Sequence, residues 1–409
     1  MAVGQAGCGF TGGFQTRPYT WMMVADAHAG FYGKTSGDQD IISPQDCFET
    51  NTLMSATDTA SKSANPTFQL SLTAPFTLRL ALLVLLTVAL MVVSRVNIGA
   101  VGQGLALALI GVGVYISFRV LNFPDLSVDG SFPIGGAVAA ALIAGGTLAE
   151  WTLPLAIVAG ALTGLTTALI HVLFRIDGLL ASIIVMTGAY TVTLGIMGTS
   201  NIPLLNARTI LTPYEGPMRE FLVGNFGDEM RRQSNNVVEI LVFGVVLAAV
   251  LLLLNWFLHT EVGLTLRAAG KNSQMVRALG VDHRRMIVIG LMLSNGLAGL
   301  AGCLSVQQLG FADAQMGVGS IVRGLAAVMI GEVLLRPRTI GQAVLAAALG
   351  MVVFEISRAW VFAALNLDAQ VIRLVSALVV LVALAVPNLL QRWREWRRKR
   401  RVEALEAVD

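Results

Sequence analysis

The chain has 409 residues, of which 55% are hydrophobic and only 13% charged, with a formal net charge of +3. Soluble domains carry roughly 25% charged residues, so this chain lacks the charge to cover a water-facing surface. A soluble globular protein is excluded, and lipid is the natural solvent for the exterior. The three cysteines, Cys8, Cys47 and Cys303, form no C-x-x-C pair, so neither a disulfide framework nor a metal site is expected.

Residues 1–75 are rich in Gly, Ser, Thr and Asp. They hold no basic start followed by an apolar run of about 7–15 residues, so they do not read as a secretory signal. A disordered N-terminal extension is expected; a start assigned too far upstream is the alternative. Gly30-Phe-Tyr-Gly33-Lys34-Thr35 resembles the end of a phosphate-binding loop, but His28 stands where the first glycine is required. No nucleotide site, cofactor or catalytic set is expected.

Residues 76–391 read as one all-α, polytopic transmembrane domain of about ten helices. Uncharged stretches of near the ~20 residues that cross a bilayer fall at about 78–94, 100–118, 132–148, 151–174, 179–198, 237–258, 286–307, 320–335, 340–362 and 371–390. A polar loop is expected over 199–235 and a charged, non-spanning segment over 259–285. Lys and Arg mark cytoplasmic ends. Arg267, Lys271, Arg277, Arg284 and Arg285 in the charged segment, and Arg392 to Arg401 in the tail, therefore place both on the inside, together with the N-terminus. The basic tail, 392–409, carries Trp393 and Trp396 and suits anionic lipid headgroups rather than nucleic acid. Gly160 with Gly164, and Gly296, Gly299 and Gly302, are spaced for close helix packing.

Three segments carry the functional signal. The first is FPDLSVDGSFPIGG, Phe123–Gly136. Pro124, Pro133 and three glycines interrupt helical hydrogen bonding, and Asp125 and Asp129 bring two carboxylates. Irregular backbone at membrane depth is tolerated only against protein or a water-filled cavity. Two readings stand: a discontinuous helix lining a solute path, or a cytoplasmic loop with turn acids and an N-cap. The second segment echoes the first. Phe311, Asp313, Gly319, Ser320 and Gly324 parallel Phe123, Asp125, Gly130, Ser131 and Gly135. Matched interrupted segments in two halves of a transporter point at the binding region, and the helix count makes these two inverted; chance similarity of Gly/Ala-rich stretches is the alternative. Arg323 is expected to pair with Asp313, with a solute carboxylate as the alternative. The third is Glu261–Arg285. It is too polar to span, and Ala268, Ala269, Met275, Val276, Ala278 and Leu279 can form the apolar face of one short helix. A partner protein's groove or anionic lipid suits such a helix.

The third segment, with G-x-x-L-R-A-x-G-x-N followed by A-x-G-V, resembles the ATPase-docking segment of ABC permeases in the branched-chain amino-acid and ribose permease superfamily. The stretch FRVLNFPDLSVDGSFP, Phe118–Pro133, is similar to a subgroup associated with aromatic amino-acid uptake. The resemblance covers about 78–390 and implies a type II-like ABC importer permease without ATPase activity of its own. It implies a second permease copy, cytoplasmic ATPase subunits on Glu261–Arg285 and an extracytoplasmic solute-binding protein. Arg267, Ala268, Gly270, Asn272 and Gly280 would belong to the coupling segment, and Asp125, Asp129, Ser131, Gly319 and Ser320 would flank the translocation path. A simple sugar is the other substrate class, and an ion-coupled secondary transporter or channel acting alone is the other function.

Overall fold

The computed structural model describes residues 76–83, 98–205, 207–226 and 233–365, with positions 377, 378, 381, 385, 393 and 396. The extension over 1–75, the second half of the first expected span, nearly all of the tenth and most of the basic tail lie outside the described residues.

Within them the chain is almost entirely helical. The helices are α1 (Gly99–Val114), α2 (Val128–Ala144), α3 (Ala149–Phe174), α4 (Gly178–Met197), α5 (Thr212–Phe226), α6 (Ser234–His259), α7 (Glu261–Lys271), α8 (Ser273–Ala278), α9 (His283–Leu309), α10 (Ser320–Leu335) and α11 (Ile340–Leu365). Tyr115–Val120 continues α1 as a π-helix, and two short strands, β1 (Asn201–Pro203) and β2 (Phe311–Asp313), pair antiparallel. Six of the described helices are long and apolar enough to cross a membrane: α1 with its π continuation, α3, α4, α6, α9 and α11. The molecule is an all-α, multi-pass membrane protein. Two apolar helices are short. α2 has 17 residues and α10 has 16, about 25 Å at 1.5 Å per residue against a hydrocarbon core of about 30 Å.

Burial sorts the helices. α1 and α9 are the most enclosed, whereas α6 turns most of its surface outward, exposing Leu241, Val245, Leu252, Leu253 and Trp256. That surface suits hydrocarbon. α9 is central because its small residues let two neighbours approach at backbone distance. A Cβ on Gly299 would strike the Ala156 carbonyl and Gly160 of α3, and one on Gly302 would strike the Phe132 carbonyl of α2. The spacing of Gly160 and Gly164, and of Gly299 and Gly302, serves this crossing, since lipid offers no hydrophobic gain for association and close packing must supply it.

The two ends of the bundle differ. The β1–β2 ribbon closes one, over the apolar cluster of Ala140, Ile143, Met197, Leu204 and Val306. The α7–α8 pair closes the other. The expected loop over 199–235 is in part ordered secondary structure, with β1 and α5 inside it. The charged segment is two helices rather than one, because Asn272 leaves helical geometry (φ −151°) and caps α8, its Oδ1 accepting from Gln274 N–H at 3.1 Å and Met275 N–H at 3.0 Å. Leu266, Ala269 and Val276 face inward, whereas Leu264, Met275 and Leu279 are exposed.

Replacing Gly302 by Leu should force α9 from α2 and destabilise the protein by about 1–3 kcal/mol. A lowered unfolding temperature in detergent would register this; an unchanged one would contradict the crossing described.

Candidate functional site

Residues 121–127, between the π-helix and α2, cross the interior as an irregular strap. Leu121, Phe123, Asp125 and Ser127 are buried, while Asn122 and Pro124 are exposed, and Asn122 takes the left-handed conformation (φ 56°) as the chain leaves the π-helix. Phe123 packs on Gly178 at the start of α4 and meets the His171 ring edge-on at 5.2 Å. Asp125 is fully buried. Its Oδ1 accepts from Ser127 N–H at 2.9 Å and Ser127 Oγ–H at 2.5 Å, and its Oδ2 accepts from Asn295 Nδ2 of α9 at 2.7 Å. Asn295 Oδ1 in turn accepts from Ser131 Oγ–H at 2.8 Å. A buried carboxylate is tolerated when its lone pairs are filled, and this network fills them. Asp125 is therefore not an acid on a solvated loop; it fastens the strap to α9.

Asp129, in the first turn of α2, bonds outside its own helix. Its Oδ2 accepts from Gly319 N–H at 3.0 Å, and its Oδ1 accepts from Ser320 Oγ–H at 2.7 Å and Ile321 N–H at 2.6 Å. These groups open α10, whose N-cap is Gly319 at φ 80°. Glycine brings no side-chain acceptor, so the cap that Ser or Asp ordinarily supplies locally arrives from 190 residues earlier in the chain. The two interrupted segments meet here. α2 rises toward the ribbon end, α10 descends toward the α7–α8 end, and their N-termini abut inside the bundle. Both termini carry positive dipole ends, and one carboxylate serves both. Pro133 leaves the Asp129 carbonyl without its intrahelical donor, and the backbone at Gly317 lies directly against that carbonyl.

The far end of α10 is also held. Arg119, in the π-helix before the strap, forms an ion pair with Glu332. The strap thus grips α10 at both ends. It also touches the terminal helix pair: a Cβ on Gly270 of α7 would collide with the Val120 carbonyl and Leu121, so α7 meets the start of the strap backbone to backbone. Of the other expected coupling residues, Arg267 and Ala268 lie half-buried in α7, and Gly280 (φ 82°) ends the turn after α8. Asn272 is the cap between the two helices.

Of the expected path residues, Asp129, Gly319 and Ser320 form one hydrogen-bonded unit, and Asp125 and Ser131 join a second through Asn295. The expected Arg323–Asp313 pair is absent among the described residues: Asp313 Oδ1 instead accepts from Gln315 N–H at 2.6 Å in its own turn. Asn295, Arg119 and Glu332 were not singled out from sequence. A lone asparagine inside an apolar 27-residue helix was the available signal for the first. For the ion pair there was none, since its partners are 213 residues apart.

Helices of membrane-spanning length around two shorter ones that abut at their N-termini define a polytopic membrane transport protein; in transporters, discontinuous helices mark the region of the solute site. The family described as branched-chain amino acid transport system / permease component matches residues 98–384, and the chain belongs to it, as a permease of ABC import systems. It is 33% identical to the tyrosine transport system permease protein of Clostridioides difficile over 71% of this chain and 91% of that protein. It is 34% identical to an uncharacterised protein of Rickettsia prowazekii over 58% and 77%, and 27% identical to the ribose import permease protein of Escherichia coli K12 over 64% and 77%. No solved structure matches this chain.

Asp129→Ala should strand the donors of Gly319, Ser320 and Ile321 at a cost of about 1–3 kcal/mol for each group left unsatisfied. Asp129→Asn, with one oxygen kept, should fall between. The order wild type, Asn, Ala in thermal unfolding of the detergent-solubilised protein checks the cap; an Ala variant as stable as wild type would refute it.

Proposed function

We propose that this permease carries an amino acid, of the aromatic class, across a bacterial inner membrane through ten spans, with both termini and α7–α8 in the cytoplasm. Arg175, Arg336 and Arg338 lie at joints on the α7–α8 side, and the bias of Lys and Arg toward cytoplasmic ends supports that orientation. The name of the tyrosine transport relative supports the substrate class.

Separate ATPase subunits dock on α7–α8, where Leu264, Met275 and Leu279 are exposed beside Arg267, Lys271 and Arg277. An extracytoplasmic solute-binding protein delivers the solute to the ribbon end. Two permease copies form the pore, and lipid covers the outward faces of α6 and the basic tail. The observation that carries the coupling role is the backbone contact of Gly270 with Val120. Movement of α7 on ATP binding reaches the strap there. The strap, fixed to α9 by Asp125, passes it to α10 through Arg119 and Asp129. Asp125, Asp129, Ser131, Gly319 and Ser320 flank the path and set the relation of its two short helices. ATP is hydrolysed on the partner.

Co-purification with a separately encoded ATPase tests the assignment. Gly270→Arg, or deletion of 267–280, should abolish ATPase binding or ATP-driven uptake in liposomes. Both surviving would sink the coupling role, and uptake driven by an ion gradient without ATP would mark a secondary transporter. Ribose, rather than tyrosine, bound by the cognate solute-binding protein would replace the substrate class.

A further inference from the structure

Ionisable side chains inside membrane helices are costly and mark function by default. One such group lies outside the units described above. Glu355 of α11 is fully buried. Its Oε2 accepts from Arg358 at 2.6–2.7 Å, and Arg358 also donates to Gln103 Oε1 of α1 at 3.1 Å. The second oxygen, Oε1, is buried with no hydrogen-bond partner among the described residues. That is a strong acceptor left open where an unmade bond is expensive.

Arg323 of α10 stands nearby. Gly350 of α11 packs on the Ala327 carbonyl and Gly331 of α10 on the Ala346 carbonyl, so the helices run antiparallel in fixed register. One turn further along, Arg323 falls opposite Phe354, beside Glu355. Arg323 lies in the field of Glu355, Arg358 and Asp129, yet forms no ion pair among the described residues. The group therefore offers an open guanidinium and an open carboxylate oxygen on adjacent helices.

A guanidinium presents paired donors matched to a carboxylate, and a carboxylate oxygen accepts from an ammonium. An uncharged sugar would leave Arg323 without a counter-charge and would bring no ammonium to Glu355 Oε1. We propose that Arg323 and Glu355 recognise the head group of a zwitterionic solute, Arg323 taking its carboxylate and Glu355 Oε1 its ammonium. This rests on the amino-acid reading above and deepens it. Arg323 is in the first turn of α10, which the strap grips. A shift of α10 against α11 changes the distance between the two charges, and with it the affinity for the solute in the two conformations.

Equilibrium binding of tritiated L-tyrosine, tyramine and 3-(4-hydroxyphenyl)propionate to the full-length permease in nanodiscs tests the site. Tyrosine should bind wild type, with the amine and the acid alone weaker by about tenfold or more. Arg323→Met should lose tyrosine binding and Arg323→Lys recover part of it. Glu355→Gln should bind tyrosine and the propionate alike. The unfolding temperature of each variant identifies one that fails to fold, and the pair Arg323→Lys and Glu355→Gln then decides. The proposal is overturned if wild type does not favour tyrosine over its two fragments, or if the variants bind all three as wild type does. ATP-driven uptake in liposomes with the ATPase and binding protein separates the two readings. Uptake undiminished in both variants removes this site and leaves the importer. Head-group selectivity in nanodiscs without any ATP-driven uptake removes the importer reading instead.

Discussion

One carboxylate holds the interior of this protein together. Asp129 belongs to α2 by sequence and to α10 by hydrogen bonding, and without it two positively charged helix ends would face each other in a low-dielectric interior. Charge-assisted bonds of this kind are roughly twice as strong as neutral ones, and no water is on hand in a bilayer core to replace them. Two helices too short to span can therefore end inside the bundle. The glycine N-cap at Gly319, the proline at Pro133 and the close backbone at Gly317 all follow from making room for that one contact.

A second consequence concerns motion. α10 is bound at its first turn by Asp129 and near its last by Arg119, and both anchors flank a single irregular strap. The strap is in turn fixed to α9 through the Asp125–Asn295 bond and pressed on by α7 at Gly270. Every link is a directional polar bond or a backbone contact, and none depends on deformable apolar packing. Such a chain has few ways to absorb displacement, which suits an element that relays movement between two ends of a membrane domain.

Much of the frame was legible in the sequence because a bilayer imposes length and hydropathy so strictly. The described helices fall within a few residues of the expected segments, and the interrupted stretches at Phe123–Gly136 and Phe311–Ala326 do meet. What was not legible depends on pairing across long separations. The echo of Gly130-Ser131 in Gly319-Ser320 indicated kinship but not that Asp129 would cap the other copy. Arg323 was assigned to Asp313 by nearness in sequence, yet Asp313 is held in its own turn. Asn272 read as part of one amphipathic helix because composition does not reveal a residue that ends one helix and begins the next. α5 went unseen because its Pro- and Gly-containing sequence, TPYEGPMREFLVGNF, lacks an apolar face strong enough to announce it.

The strap also has a length that matters apart from its sequence. The chain from Arg119 to Asp129 has to reach as far as α10 does between Ile321 and Glu332, about 17 Å at 1.5 Å per residue, because those residues are the two held points. The spacing of the two grips on α10 is thus set by a count of residues as much as by their identities.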